Sequence, residues 1–116
     1  MRNDKENIIV DKSFQFALKI VSYCELLEEN KKYVISRQLL RSGTSIGANI
    51  REAQNAESKQ DFIHKLKLAA KEADETEYWL LICQHSPTYP FDEKLLTHVH
   101  EIMKILSKII STSKGS

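Results

Sequence analysis

Ser42-Gly43-Thr44-Ser45-Ile46-Gly47-Ala48-Asn49 is the stretch on which the fold turns. Its composition reads as a loop, since Gly, Ser, Thr and Asn favour turns. Its spacing reads as a helix. Leu39, Ile46, Ile50 and Ala53 stay in phase at the helical period across both glycines, and Ile35 extends the row backwards. Period outweighs composition here, because a loop has no reason to keep an apolar side in step. Two interior glycines disfavour a helix by about 1 kcal/mol each relative to alanine. Close approach of a second helix offsets that loss. Gly43 and Gly47 fall on one side, where absent side chains let a neighbouring backbone come near. The sequence therefore predicts a helix over 33–56.

Upstream, residues 1–10 read as a polar arm with a short apolar patch at Ile8 to Val10. Asp11 offers an N-cap side chain for a first helix running from Lys12 to Glu28. Phe14, Leu18, Val21 and the Cys24/Glu25 turn form its stripe, and Phe16, Ile20 and Tyr23 make a second apolar row, so this helix has two faces to bury. Downstream, Ser58-Lys59-Gln60-Asp61 resembles a capping box and opens a third helix from Lys59 to His85. Phe62, Leu66, Ala69, Ala73, Leu80 and Cys83 form its stripe. Ser86-Pro87-Thr88-Tyr89-Pro90 breaks the chain, and Asp92 caps a fourth helix to Ser111 with Leu95, Val99, Ile102, Leu106 and Ile109 inward. The last residues read as a frayed tail.

Four amphipathic helices with short links predict an all-α, antiparallel, up-down-up-down four-helix bundle. The 116 residues suit one domain over 1–116, with an ordered core about 11–111. The N-terminus carries too short an apolar run for a signal peptide, and no stretch suits a membrane span. The cytoplasm is the expected compartment. Cys24 and Cys83 are expected to be reduced and partly buried.

No catalytic constellation emerges. Glu-x-x-His, which builds di-iron sites in bundles, is absent, as is the His-x-x-x-His zinc pair. Neither cysteine has a partner at metal-ligand spacing. The short Arg-to-His spacing of helical RNases of the HEPN type is missing, since Arg51 lies too far before His64. The expectation is a protein that is not an enzyme and holds no cofactor or metal.

Charge leaves a weaker trace. The net charge is +1, so a nucleic-acid reading rests on distribution and not on total charge. Arg37, Arg41 and Arg51 fall within about 80° of one another on the second helix, opposite its apolar stripe. Lys67 and Lys71, with Gln60 and His64, make an outward row on the third. These five cations are the candidate phosphate contacts, and ordinary solvated faces are the competing reading. Glu77 lies near the apolar side of the third helix and needs a polar partner, for which Ser45 and Asn49 stand ready. Glu72 and Glu75 are expected to face solvent or a neighbouring subunit. Tyr78 and Trp79 are candidates for an exposed aromatic interface.

Ser45-Ile46-Gly47-Ala48-Asn49-Ile50-Arg51-Glu52-Ala53, then Asp61-Phe62 through Lys67-Leu68-Ala69, then Glu75-Thr76-Glu77-Tyr78-Trp79-Leu80 together resemble the bacterial 23S rRNA-intervening-sequence proteins. The resemblance is closest over the second and third helices. It implies a left-handed bundle that assembles into a ring-shaped homopentamer without established enzymatic activity. It also implies similarity to the accessory protein of diversity-generating retroelements, a basic pentamer that binds nucleic acid and a reverse transcriptase. RNA or DNA, a reverse transcriptase and further copies of the chain are thus the partners implied. Asn49, Glu52 and Glu77 match the family's motif and are read, with Ser45, as structural polar residues bridging helices. Ala53 stands where the family often has Gly, and the near-neutral charge departs from a basic relative. The remaining alternative is a pure protein–protein module.

Overall fold

A computed structural model describes residues 4–115, with side chains described from Ile8. Four helices account for the fold: α1 (Asp4–Glu29), α2 (Tyr33–Ala53), α3 (Lys59–His85) and α4 (Lys94–Gly115). Among the described residues there is no strand. The molecule is a rod of 47 × 20 × 20 Å. Each helix packs against two others in a ring, α1 on α2 and α4, and α3 on α2 and α4, while the diagonals make no close contact.

The glycine-bearing stretch is helical throughout, and both glycines face α1. A β-carbon at Gly43 would lie 2.9 Å from Ile20 Cγ2, and one at Gly47 would lie 3.4 Å from the Ser13 carbonyl oxygen. The return for two helix-weakening residues is thus a close α1–α2 seam. Moving along α2 from 43 to 47 moves backwards along α1 from 20 to 13. The same reversal holds at the other edges. Ser42 meets Thr76, and Glu52 meets Lys65; on the far side Glu77 meets His100, and Lys67 meets Lys114.

The first helix departs from expectation at its start and in its facing. It begins before Asp11, which lies in mid-helix on the solvent side and caps nothing. Residues 4–10, expected as an arm, are helical because Ile9 continues the inward row and is fully buried. The expected arm at 1–3 and the tail at Ser116 lie outside the described residues. The two apolar rows exchange roles. Ile9, Phe16, Ile20, Tyr23 and Leu27 fill the core, whereas Phe14, Leu18 and Val21, expected as the stripe, are exposed by 53%, 49% and 40%. Only the row that includes Ser13, whose side chain is small, fits against the glycine side of α2.

Ends follow local chemistry. Ser58 Oγ accepts the Asp61 backbone N–H at 3.0 Å, and the Asp61 carboxylate accepts the Glu57 N–H at 3.2 Å. Asp92 accepts the Lys94 N–H at 3.0 Å. α2 stops at Ala53, short of the expected 56, and α4 runs on through the expected tail to Gly115. Between α1 and α2, Lys31 takes φ 64°, and the Lys31 and Lys32 N–H groups bond back to Glu28 and Leu27. That is a Schellman ending with lysine in the position that favours glycine.

The expected stripes of α2, α3 and α4 face inward. Cys24 and Cys83 are free and buried, which completes rather than halves their expected burial. Among the described residues, no helix is long and apolar enough to cross a membrane.

Candidate interaction surfaces

Charged residues on α2 and α3 meet at a shared edge, where Arg41 and Lys65 are already engaged. The Arg41 guanidinium donates to Glu72 at 3.2 Å and to Glu75 at 2.5 Å. The Trp79 indole N–H donates to the same Glu75 carboxylate at 3.2 Å. Arg41 first and Trp79 second hold the Glu75 carboxyl below the usual carboxylate range. Glu72 and Glu75 therefore clamp Arg41 rather than facing open solvent, and Trp79 is half-buried as part of that clamp. Next to it, Lys65 donates to Glu52 at 3.0 Å, joining α2 to α3.

Five cations were candidates for phosphate contact, and they separate. Arg41 is neutralised. Arg37, Arg51, Lys67 and Lys71 are exposed, and no ion pair holds them among the described residues. Arg37 and Arg51 lie about 20 Å apart along α2, four helical turns. Lys67 turns toward α4 and its neighbour there is Lys114, a residue that sequence reasoning passed over because it lies in the expected tail.

The structural polar residues are also redistributed. Glu77 pairs with His100 Nε2 at 2.5 Å across the α3–α4 edge, not with Ser45 or Asn49. Ser45 Oγ donates to the Arg41 carbonyl and Asn49 Nδ2 to the Ser45 carbonyl, so both bonds stay within α2. The polar contact buried between α2 and α3 is instead Thr76 Oγ1 to Ser42 Oγ, at 2.9 Å. The sequence held that signal: Thr76 stands at the vacant step between Ala73 and Leu80 in the inward row, where Glu77 is one position out of phase.

A third surface is apolar. Phe14, Leu18 and Val21 lie along one strip of α1, directed away from the core row. Leu40, also exposed, adds to the apolar outside of α2. Tyr78 stands out at 59% exposure with its ring edge-on to Trp79 at 5.4 Å. Among the described residues no group of three or more His, Cys, Asp or Glu side chains is placed to hold a metal ion.

Comparison with known proteins gives one consistent answer. The family model for 23S rRNA-intervening sequence proteins matches residues 5–109. A solved structure from Bacteroides thetaiotaomicron VPI-5482, a protein of unknown function from the S23 ribosomal protein family, superposes with a TM-score of 0.86. It is 49% identical, and the match covers 92% of this chain and 98% of that one. No curated protein matches.

Proposed function

The chain belongs to the 23S rRNA-intervening sequence protein family, and from that premise we propose a non-enzymatic scaffold that self-associates through α1 and offers basic side chains to nucleic acid or to a protein that processes it. The architecture we assign is the antiparallel, up-down-up-down, left-handed bundle. The reversed order of facing residues at each edge supports the antiparallel part.

One observation carries the scaffold reading: three large apolar side chains, Phe14, Leu18 and Val21, lie together on α1 while another row fills the core. A helix with one buried stripe has no use for a second. Covering the exposed half of each such residue contributes about 1 kcal/mol. A second copy of the chain is the proposed occupant, and repetition of one contact around a closed ring yields the homopentamer that the resemblance implies. The cytoplasm is the compartment proposed.

RNA or DNA would meet Arg37, Arg51, Lys67 and Lys71, with Arg41 already held by Glu72 and Glu75. That clamp, together with a net charge of only +1, favours the alternative of a pure protein–protein module, a reverse transcriptase being the partner class implied by resemblance. Two measurements separate these readings. Sedimentation of the wild-type chain tests the scaffold: a strict monomer at high concentration defeats it. Oligonucleotide binding at two salt concentrations tests the phosphate contacts: binding that strengthens at low salt supports them, and absent or salt-independent binding removes them.

A further inference from the structure

We propose that the groove between α3 and α4 seats a phosphate ester, with the Lys67 and Lys114 ammonium groups holding the phosphate and Ala70, Met103 and Ile110 carrying the organic body. This deepens the phosphate-binding reading and rests on it for the class of ligand. The groove measures about 550 Å³ and is lined by these five residues together with Asp74, Ser107 and Ser111.

Charge arrangement is the main argument. Most other cross-edge contacts pair opposite signs, Lys12 with Glu101, Arg41 with Glu72 and Glu75, Lys65 with Glu52, while Lys19 meets the His98 ring at 3.3 Å. At this groove the edge sets like against like. Lys67 and Lys114 approach each other, and the encounter makes the Lys67 ammonium easier to deprotonate. Among the described residues no ion pair relieves either one. Asp74 lies about 10 Å along α3 from Lys67, two helical turns, and does not neutralise the pair. A phosphate between the two ammonium groups accepts from both and removes their repulsion.

The rest of the lining fits the same ligand. Ser107 and Ser111 are four apart on α4 and supply hydroxyl donors on one side of the groove. Met103 gives a soft, adaptable surface for a flat ring. Asp74 accepts N–H groups and disfavours a second phosphate at its end. Phosphate at one end, an apolar floor and a carboxylate at the other describe a nucleotide unit, whether free or within a strand.

The test is amide chemical-shift titration of the full ¹⁵N-labelled chain with inorganic phosphate, a nucleoside monophosphate and a short oligothymidylate. Saturable shifts at Ala70, Ser107 and Ser111 with the monophosphate are expected. The exposed-site variant Lys114→Glu should weaken them at least tenfold without moving the urea midpoint. Groove shifts with the oligothymidylate as well assign the seat to a strand; groove shifts with the monophosphate alone assign it to a free nucleotide. Oligothymidylate shifts confined to the Arg37 and Arg51 face, with no groove shift from the monophosphate, overturn the seat while leaving the nucleic-acid reading standing. No groove shift with any of the three probes, or a Lys114→Glu variant that binds as well as wild type, also overturns it.

Discussion

Gly43 and Ile20 are in contact across the α1–α2 seam, with room for no further atom: a β-carbon at position 43 would meet Ile20 Cγ2 at 2.9 Å and its Cβ at 3.3 Å. Ile20 is fully buried and branched at its β-carbon, so it has little freedom to withdraw. Gly43→Ala should therefore destabilise the protein by about 1–3 kcal/mol through overpacking, despite the intrinsic helical gain. Gly47→Ala meets Ser13 only at ordinary contact distance and should be neutral or stabilising by up to about 1 kcal/mol. Urea midpoints of the two variants give the comparison. A neutral or stabilising effect of both would mean that the seam tolerates a methyl group at both steps.

The two rows of α1 make opposite predictions for two phenylalanines one turn-fraction apart. Phe16→Ala should lose about 3–5 kcal/mol, since Phe16 is 2% exposed in the core. Phe14→Glu should leave the urea midpoint of the monomer nearly unchanged and lower the sedimenting mass. A Phe14→Glu variant that assembles like wild type would place the interface elsewhere.

The buried Thr76–Ser42 hydroxyl pair predicts non-additivity. Thr76→Val removes the donor to Ser42 and should cost about 1–2 kcal/mol. Ser42→Ala strands Thr76 less, because the single Thr76 hydroxyl proton has the Glu72 carbonyl, at 2.8 Å, as an alternative acceptor. Once either hydroxyl is gone, the second substitution should matter little, so the double variant should lose less than the sum. Strict additivity in denaturation experiments would show that the contact carries no coupling.

Alkaline pH should unfold the protein by way of its buried thiols and phenol. Burial, the largest cause, pushes the Cys24 thiol from 9.0 up to about 11, and it also raises Cys83 and Tyr23. Their neutral forms are favoured in the fold, so the unfolded chain releases protons first. The stabilisation is complete below pH 9.0 and is lost as pH rises to about 11 and beyond. Thermal midpoints across that range should fall, and native thiols should react slowly with a thiol reagent at pH 8. Fast native labelling of Cys24 would contradict its burial.

Lys31 adopts φ 64° in the α1–α2 turn, where the left-handed region suits glycine. Lys31→Gly should stabilise the protein by about 0.5–1 kcal/mol, read as a higher melting temperature. A lower one would mean that the lysine side chain has a role the turn geometry does not explain.

Where one side of a helix was apolar, reading the sequence located the core. The inward rows of α2, α3 and α4 follow from period alone, including the passage through Gly43 and Gly47. α1 failed because both of its rows were apolar, and period cannot choose between them. A longer view held a clue: the Phe16 row runs from Ile9 to Leu27, whereas the Phe14 row meets Glu25 and Glu28 after Val21. The candidate surfaces were less legible still. Sequence marks a cation but not whether a carboxylate on another helix reaches it, which is why Arg41 looked available and Lys114 was overlooked.

What the sequence determined by itself was four helices, the inward stripes of α2, α3 and α4, and the turns between them, because these depend on residues a few steps apart. Tertiary structure decided which row of α1 turned inward, which charges were paired, and that Thr76 rather than Glu77 met α2. Those outcomes depend on distances across helix seams, and the α1–α2 seam was set by two side chains that glycine does not have.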